Sequence, residues 1–478
     1  MADNSHLFLE NKVLREEVRA LRQLLAKHGI EVTPNTLANC DSSPQVGTIY
    51  DSLSNEPLLD YSKQAAKAGT YAAEHSLNKH QVERYSRHLL LNSFGITAQE
   101  KLCSSSVLIV GCGGLGSPAA LYFSACGVGT LGLMDHDSVD ASNLHRQVIH
   151  TEERVGTSKA QSGRKACEAL NSLIKIRVHE EALSANNALS IIGQYDMVLD
   201  CSDNAPTRYL ISDACVVTGK PLVSAAAVGT DGQLTVYNYG EDGPCYRCLF
   251  PEPPAPENCS RCSDAGVLGV VPGIMGALQA LEAIKIASGK GDVLNKRMLV
   301  FDALSGKFMT VNLRSKRAGC AACGEHPTLS MSSLPEFDYK AFTGQEAQDG
   351  PPVPLQLIPS SERLLPRDAK TILDQAMKDS GAIEPIVLDV RPRIQYQLMH
   401  LPHAVNIPIE ELENRMPEVK ELKSNRSGSS PLLVICRRGN ASQLAVQQLR
   451  MAGCIDAVDI IGGMTQWSRD VDSSMPIL

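Results

Sequence analysis

The sequence predicts an α/β protein built on a doubly wound parallel sheet, joined to a second and smaller α/β domain. Three observations lead to this prediction. Apolar β-like runs alternate with helical segments through the middle of the chain, a glycine-rich turn joins the first run to the first helix, and the same alternation returns on a smaller scale near the end. This alternation is typical of βαβ units, in which a helix crosses over between two parallel strands.

The β-like runs are short and are made mostly of Val, Leu and Ile. In the larger domain, strands are predicted at 107–110, 130–134 and 197–199, with helices from 117 and around 159–173. In the smaller domain, strands are predicted at 386–390, 432–436 and 457–461.

Composition divides the 478-residue chain into four parts. Leucines at seven-residue spacing predict one helix over 7–28, which is either a short coiled coil or a helix packed on its own domain, and the rest of 1–79 is a connector. The larger domain is predicted over 80–327 and the smaller over 367–478. Between them, Ser, Pro and Gly crowd the stretch 328–366, which predicts an interdomain linker.

Charge and cysteine content narrow the function classes. Lys and Arg number 45 and Asp and Glu 53, a net charge of −8, so direct binding of nucleic acid is not expected. Fifteen cysteines without a secretory signal indicate a reducing compartment, and we expect the cytosol. The uncharged stretch 102–134 is long enough to span a bilayer, but its seven glycines favour a buried strand, turn and helix, and no membrane association is expected.

The turn at 111–116, Gly-Cys-Gly-Gly-Leu-Gly, follows a β-like run and opens a helix. Glycine lets a phosphate approach the backbone closely, and a helix N-terminus supplies unpaired N–H groups. Asp135 ends the next β-like run, 24 residues after Gly111, where a carboxylate can bind ribose hydroxyls. By itself this spacing favours an NAD-binding oxidoreductase.

The polar residues that follow favour a nucleoside triphosphate instead. A hydride-transfer site has no need of the polar side chains that crowd 135–147. Arg146 and Lys159 can neutralise the charge of a triphosphate, and Asp203 can hold Mg²⁺. A basic segment at 84–88 precedes the first strand. Taken together, these residues predict an ATP site.

Five separated motifs in this region resemble, in order, the ATP-site segments of the ubiquitin-activating-like adenylyltransferases, which activate small β-grasp carrier proteins. They are RYSRH, GCGGLGSPAA, DHDSVDASNLHRQ, SKA and CSDNAPTRY. The resemblance implies a homodimer in which Arg87 reaches into the neighbouring subunit's site. It also implies that ATP is contacted by Gly114, Asp135, Ser142, Asn143, Leu144, His145, Arg146, Lys159, Asp203 and Asn204.

Three Cys-x-x-Cys pairs each have the spacing that places two thiolates on one metal, at 245/248, 259/262 and 320/323. Two such pairs make a Cys₄ zinc site, and spacing alone favours the two nearest pairs. The resemblance instead gives Cys262 a catalytic role in transfer chemistry. It places one Zn²⁺ per chain on Cys245, Cys248, Cys320 and Cys323. A cysteine held by zinc cannot act as a nucleophile, so the two interpretations exclude each other.

A further cysteine, Cys436, lies where a predicted strand meets a helix, beside Arg437 and Arg438. A helix N-terminus and two arginines favour the thiolate, and the loop N–H groups can hold an anion or a sulfane sulfur. LDVR, HLPHAVNIP, VICRRGNAS and IGGMTQW resemble a rhodanese domain, which implies that Cys436 carries sulfur. His403 stands where that family usually has glycine, and Ala441 where many members carry an arginine for small thiosulfate-like donors.

The two resemblances combined are similar to the adenylyltransferase–sulfurtransferases of molybdenum-cofactor synthesis and tRNA thiolation. They imply that ATP and Mg²⁺ adenylylate the C-terminal glycine of a small ubiquitin-like carrier, and that sulfur from Cys436 then gives the carrier thiocarboxylate. The implied partners are carriers ending in Gly-Gly (the molybdopterin synthase small subunit and the ubiquitin-related modifier) and a cysteine-desulfurase-type donor. The alternatives are a modifier-activating enzyme that acts through a thioester, the NAD-binding oxidoreductase, and a non-catalytic scaffold.

Overall fold

The structure is a computed structural model of the chain. It describes residues 74–254, 266–345, 355–378, 384–425 and 431–477. The helix predicted over 7–28 lies outside the described residues, as do Cys259 and Cys262. The described residues form two α/β domains, each with its own sheet and its own hydrophobic core.

The larger domain is built on one sheet with the strand order β3-β2-β1-β4-β5-β6-β7-β8. Its strands are β1 Ser106–Val110, β2 Thr130–Met134, β3 Lys175–His179, β4 Met197–Asp200, β5 Leu222–Val228, β6 Asp231–Tyr237, β7 Arg297–Asp302 and β8 Lys307–Asn312. Strands β1 to β5 run parallel to one another, and β6, β7 and β8 continue the sheet in antiparallel fashion.

Helices cover both faces of the parallel part of this sheet. They are α1 Lys79–Arg84, α2 Ser86–Leu89, α3 Gly95–Ser104, α4 Gly116–Cys126, α5 Lys159–Leu170, α6 Ala188–Ile192, α7 Ala205–Val217, α8 Tyr246–Leu249, α9 Val270–Ser288 and α10 Tyr339–Thr343. Val107 and Ile109 of β1 belong to the core that includes α4 and α9, whereas Leu108 and Val110 belong to the core that includes α6 and α7. Successive side chains of a strand point to opposite faces, so a continuous apolar run marks a sheet that is covered on both. The predicted doubly wound fold is confirmed.

Helix α9 alone, among the helices of the described residues, is long and apolar enough by length and composition to cross a membrane. It packs against α4, β5 and β6. Its buried Gln279 donates to the backbone oxygen of Asp200 at 2.8 Å, and its buried Glu282 accepts from the N–H of Leu294 at 2.9 Å. These contacts make α9 a core helix of the larger domain.

The smaller domain has a parallel sheet in the order β10-β9-β11-β12. Its strands are β9 Ile386–Asp389, β10 Val405–Asn406, β11 Leu432–Ile435 and β12 Ala457–Asp459. Its helices are α11 Pro366–Lys378, α12 Arg393–Leu398, α13 Ile409–Leu412, α14 Met416–Asn425, α15 Ala441–Met451 and α16 Gly463–Asp470. Alternate residues of β11 again belong to two different cores, so this sheet is also covered on both faces.

The prediction that 328–366 is an interdomain linker is wrong at both described ends of that stretch. At its start, Leu334 and Tyr339 are buried in a core of the larger domain. At its end, Ile358 is buried in a core of the smaller domain, and Arg363 forms an ion pair there. Each of these contacts depends on one large side chain in a segment rich in Ser, Pro and Gly, so no apolar periodicity reveals it.

A buried ion pair anchors the start of this stretch. The guanidinium of Arg247 donates to both carboxylate oxygens of Asp213 at 2.8–3.0 Å, and the hydroxyl of Tyr339 donates to the same carboxylate at 2.9 Å. The guanidinium also lies 5.0 Å from the ring centre of Phe337 and 4.4 Å from that of Phe342. Such cation–π contacts strengthen as water is excluded. The segment therefore packs as an integral part of the larger domain.

We expect Tyr339→Phe to destabilise the larger domain, because it removes one hydrogen bond from the buried Asp213 carboxylate. The expected loss in free energy of unfolding is about 1–3 kcal/mol, measured by urea denaturation. Tyr122→Phe is the control, since Tyr122 is 54% exposed, and it should change stability by less than about 0.5 kcal/mol. A Tyr339→Phe protein as stable as its parent would show that this hydrogen bond does not anchor the segment.

Candidate functional site

A cavity of about 960 Å³ lies at the carboxyl ends of β1, β2 and β4. These strands are parallel neighbours, so the turns that follow them meet at one edge of the sheet. Strand β1 lies between β2 and β4, which is the point where the strand order reverses. Open α/β sheets bind their ligands at such a point.

Seven of the predicted ATP-binding residues line this cavity. They are Gly114, Asp135, Asn143, Arg146, Lys159, Asp203 and Asn204. The remaining four, Ser142, Leu144, His145 and Arg87, are not part of its lining. Ser142 and His145 lie in or beside the short 3-10 helix Ala141–Asn143 with exposed side chains, and Arg87 is exposed on α2.

The glycine turn has room for no side chain at two of its positions. Gly111 has φ +99°, and a Cβ there would lie 2.6 Å from the backbone oxygen of Cys201. A Cβ on Gly116 would lie 1.9 Å from the oxygen of Gly111. Glycine is therefore required for β4, the turn and α4 to approach one another this closely.

Asp135 holds the glycine turn in place. Its Oδ2 accepts from the N–H of Cys112 at 2.7 Å, and its Oδ1 accepts from the N–H of Asp137 at 2.9 Å. Burial raises the pKa of this carboxyl, while the nearby Lys159 ammonium and the two N–H groups act to lower it. The residue that the resemblance assigns to ribose thus also has a structural role that the sequence did not indicate.

Two cations are held at the cavity by neighbouring side chains. The Nζ of Lys159 lies 2.7 Å from Oδ2 of Asp137, and the lysine side chain is only 9% exposed. Arg146 donates from Nη2 to Oδ1 of Asn143 at 2.6 Å. Both positive groups are thus oriented at the edge where the resemblance places the triphosphate.

The acidic residues at this edge differ in their surroundings. Asp203 lines the cavity and is exposed, so its carboxylate is accessible to a cation. Asn204 caps α7 by accepting from the N–H of Thr207 at 2.9 Å. Ligand atoms of Asp135, His136 and Asp137 also lie within 4.8 Å of one another, a grouping that can hold a metal ion. Sequence reasoning did not single out His136, because one histidine between two aspartates is not by itself a metal motif.

The cavity extends to residues that sequence reasoning missed. Phe337, Tyr339 and Gln345 line it, and all three belong to the stretch predicted as linker. Phe337 and Tyr339 both contact the Arg247–Asp213 ion pair, and the Tyr339–Asp213 contact spans 126 positions of the chain. No local signal in the sequence could have revealed it.

A buried histidine supports the glycine turn from the other side. His150 Nε2 lies 3.1 Å from the backbone oxygen of Cys112, and its Nδ1 lies 2.9 Å from Oγ of Ser162. The carbonyl can only accept, so Nε2 carries the proton and the Ser162 hydroxyl donates to Nδ1. Burial lowers the pKa of His150 to about 4, which keeps the ring neutral near pH 7.

Four cysteines of the described residues form one cluster. The sulfurs are 3.8 Å apart for Cys245 and Cys248, 3.5 Å for Cys245 and Cys320, and 3.3 Å for Cys248 and Cys323. A tetrahedral zinc ion with Zn–S bonds of about 2.3 Å requires sulfurs about 3.8 Å apart, so the cluster fits zinc. The structure therefore groups these four thiols as the resemblance implied.

Cys436 follows β11 and precedes α15, as predicted, but its side chain is buried in the core, with 3% exposure. Its Sγ accepts from the N–H of Gly439 at 3.1 Å. The loop is held from outside by α16, whose Met464 donates its N–H to the oxygen of Cys436 at 2.8 Å. His403, where rhodaneses usually have glycine, has φ +59°, a conformation that glycine adopts most readily.

Comparison with known proteins identifies the family. The ThiF family model matches residues 85–322, and the Rhodanese-like domain model matches residues 369–470. Adenylyltransferase and sulfurtransferase MOCS3 of Arabidopsis thaliana is 46% identical over 471 residues, which cover 96% of this chain and 98% of that protein. The chain belongs to the MOCS3 adenylyltransferase and sulfurtransferase family.

Other members of the family match this chain over nearly its whole length. MOCS3 of Drosophila yakuba is 44% identical over 98% of this chain and 100% of its own length, and MOCS3 of Bos taurus is 42% identical over 97% and 99%. Among solved structures, Escherichia coli MccB has a TM-score of 0.46 at 22% identity, covering 51% of this chain and 73% of that one. That likeness is too weak to bear on function.

Membership confirms the sequence-based identification, including that the protein is an enzyme with adenylyltransferase and sulfurtransferase activities. Use of ATP follows from the first activity. The oxidoreductase favoured by the glycine spacing alone is wrong. That spacing describes only a tight turn against a phosphate, which nucleotide-binding proteins of many activities share.

We expect the stability that His150 contributes to depend on pH. Its pKa is about 4 in the folded protein and about 6.5 when unfolded, so the unfolded chain takes up the proton first as pH falls. The contribution is complete above pH 6.5 and is lost as pH falls to 4. The difference in free energy of unfolding between the wild type and His150→Gln should therefore shrink over that interval. The exposed His326→Gln should show no such change. A difference that stays constant from pH 7 to 4 would contradict the assignment.

We predict one zinc ion per chain in this MOCS3-family protein. Cys320→Ser should lose it, as measured by plasma mass spectrometry of the purified protein. Stability should fall as well, because structural zinc contributes on the order of 10 kcal/mol to folding. Cys126→Ser, which alters a half-buried thiol outside the cluster, should keep the metal. Stoichiometric zinc in the Cys320→Ser protein would mean that the four clustered thiols are not its ligands.

Proposed function

We propose that this enzyme uses ATP to adenylylate the C-terminal glycine of a small ubiquitin-like carrier and then converts that carboxylate to a thiocarboxylate. The observation that carries the proposal is the cavity at the switch point of the larger sheet. There the glycine turn, two oriented cations and an exposed carboxylate surround a volume of about 960 Å³. That volume is large enough for a nucleotide together with the end of a peptide.

In the first half-reaction, a carboxylate oxygen of the carrier attacks the α-phosphorus of ATP. The new P–O bond forms as the bond to pyrophosphate breaks, and pyrophosphate leaves with the electron pair. Asp135 binds the ribose, and the glycine turn accommodates the phosphates. Lys159 and Arg146 stabilise the charge that develops on them. Mg²⁺ bound through Asp203 would add further charge neutralisation.

In the second half-reaction, the terminal sulfur of a Cys436 persulfide attacks the acyl carbon, and AMP leaves. This joins the carrier to Cys436 through an acyl disulfide. A second thiolate, assigned to Cys262, then attacks Cys436 Sγ and releases the carrier thiocarboxylate. The resulting disulfide is returned to thiols by a small-molecule or protein dithiol.

Several partners belong to this proposal. The carriers are the molybdopterin synthase small subunit and the ubiquitin-related modifier, which serve molybdenum-cofactor synthesis and 2-thiolation of tRNA wobble uridine. A cysteine-desulfurase-type protein loads Cys436, and the reaction takes place in the cytosol. The enzyme acts as a homodimer in which Arg87 completes the partner's site. The exposed Leu90 and Leu91, which directly follow α2, support this, because they form an apolar surface near Arg87 that a second subunit could cover.

Two variants test both half-reactions in one assay. A carrier ending in Gly-Gly is incubated with ATP, the enzyme and a persulfide donor, and its intact mass is measured. Asp203→Ala should form adenylate, and hence thiocarboxylate, about 100-fold more slowly, because metal-assisted charge neutralisation is lost. Cys436→Ala should form adenylate at the parental rate but no thiocarboxylate. Glu153→Ala, an exposed carboxylate outside the cavity, should behave as wild type.

Three outcomes would contradict parts of this proposal. Normal thiocarboxylate from Cys436→Ala would mean that the sulfur route is wrong. Carrier retained as a thioester on the enzyme, with no exchange of oxygen for sulfur, would indicate a modifier-activating enzyme instead. Parental adenylate formation by Asp203→Ala would remove Asp203 from the nucleotide site.

A further inference from the structure

A chain of buried polar side chains runs from the surface of the smaller domain to the sulfur of Cys436. The thiol of Cys436 donates to Oγ of Ser442, with Sγ and Oγ 3.3 Å apart. The Ser442 hydroxyl in turn donates to Oδ2 of Asp459 at 3.3 Å. Ser442 and Asp459 are both completely buried. Ser442 from α15 and Asp459 from β12 thus converge behind the reactive sulfur.

Arg363 closes this chain from the stretch that the sequence predicted to be linker. Its Nε and Nη2 each donate to one oxygen of Asp459 at 2.8 Å. Nη2 also donates to the backbone oxygen of Gly439 at 3.3 Å. The ion pair fixes the carboxylate, and the third contact fixes the loop that holds Cys436. A bidentate arginine is suited to this, because its planar fork matches the two oxygens of a carboxylate.

We propose that Ser442, oriented by the Arg363–Asp459 ion pair, is a catalytic hydrogen-bond partner of Cys436 that stabilises its thiolate during sulfur uptake. A serine hydroxyl has one proton and two lone pairs. While Cys436 is a thiol, that proton points to Asp459 and a lone pair accepts the S–H. Once the thiol is deprotonated, the hydroxyl turns and donates to Sγ, and Asp459 keeps the two N–H groups of Arg363.

The ion pair is needed for electrostatic reasons. The Asp459 carboxylate is separated from the Cys436 sulfur only by the Ser442 hydroxyl. A buried carboxylate in this position opposes the formation of a negative charge on the sulfur. Arg363 neutralises that carboxylate, so Ser442 can donate to the thiolate without an unpaired charge remaining behind. The other charged groups near Cys436 are Arg437 and Arg438 in its own loop, and Asp389 of the adjacent β9, which is paired with Arg391 at 2.6 Å.

The step that this arrangement serves is the transfer of sulfur from a donor persulfide. The Cys436 thiolate attacks the terminal sulfur of the donor, an Sγ–S bond forms, and the donor's own S–S bond breaks. The electron pair leaves with the donor's thiolate, which takes up the proton that Cys436 released. Overall, a thiol and a persulfide become a persulfide and a thiol. The inference rests on the proposed role of Cys436 as the sulfur carrier.

The rate of alkylation of Cys436 by iodoacetamide, followed by peptide mass in the full-length protein, tests the inference without carrier or sulfur donor. Ser442→Ala should slow alkylation about tenfold at pH 7, because loss of a hydrogen bond to a charged group leaves less thiolate. Because iodoacetamide reacts with the thiolate, raising the pH to 10 should remove this difference, and the two rates should then agree. Ser442 is the second residue of α15, and alanine is the strongest helix former, so the variant should fold.

Two further variants complete the test. Arg363→Gln should also slow alkylation at pH 7 and not at pH 10, because it leaves the Asp459 charge uncompensated. Ser468→Ala is the matched control. Ser468 is another buried serine of this domain, and it donates to the oxygen of Met475 at 2.6 Å. It should match the wild type at both pH values.

Three results would overturn the inference. One is a Ser442→Ala rate at pH 7 equal to the parental rate, and another is slowing by the same factor at pH 7 and pH 10, which would indicate altered access. The third is a wild-type Cys436 that resists alkylation even at pH 10. The proposed sulfur route is judged separately, by the thiocarboxylate yield of Cys436→Ala, so failure of one leaves the other standing.

Discussion

The carboxylate of Asp135 accepts two backbone hydrogen bonds, and the cavity at the switch point of the larger sheet depends on them. One comes from Cys112 in the glycine turn and the other from Asp137, whose side chain holds the Lys159 ammonium. The glycine turn and the Lys159 ammonium are therefore both tied to one side chain. Because β2 lies directly beside β1, this carboxylate is delivered to the turn by the sheet itself. The parallel sheet therefore sets the position of the Asp135 carboxylate relative to the glycine turn, and the hydrogen bonds of that carboxylate hold the turn in place.

Buried ion pairs position the loops in both domains. Arg247 and Asp213 lie beside the four-cysteine cluster and anchor the aromatic segment that lines the cavity, while Arg363 and Asp459 lie behind the Cys436 loop. A buried pair adds little net stability, because desolvation offsets the attraction, but removal of one partner leaves an unpaired charge and is costly. Such pairs therefore specify one arrangement of a loop more than they stabilise the fold. In the Cys436 loop, a single arrangement keeps the Gly439 N–H and the Ser442 hydroxyl beside one sulfur.

Much of the site could be predicted because its signals are local. The glycine turn, the Cys-x-x-Cys spacing and the strand-to-helix cysteine each occupy a few consecutive residues, and each reflects a contact that short sequence distance imposes. The linker prediction failed for the opposite reason. Tyr339 meets Asp213 across 126 positions, and Arg363 meets Asp459 across 96, so neither partner is visible from the other's neighbourhood. A stretch rich in Ser, Pro and Gly can still be well packed when one aromatic ring or one arginine reaches a distant partner.

The sequence by itself determined that both domains are α/β, the positions of strands β1, β2, β4, β9, β11 and β12, and the chemical groups available at the turns that follow them. These follow from periodicity, glycine spacing and residue type, which act over a few residues and need no knowledge of distant contacts. Only the tertiary structure decided which Cys-x-x-Cys pair joins Cys245 and Cys248, which residues close the cavity, and what lies behind Cys436. Those outcomes depend on which of many polar partners a buried side chain meets. A carboxylate or thiol removed from water must be paired, and only the folded chain sets which partner is within reach.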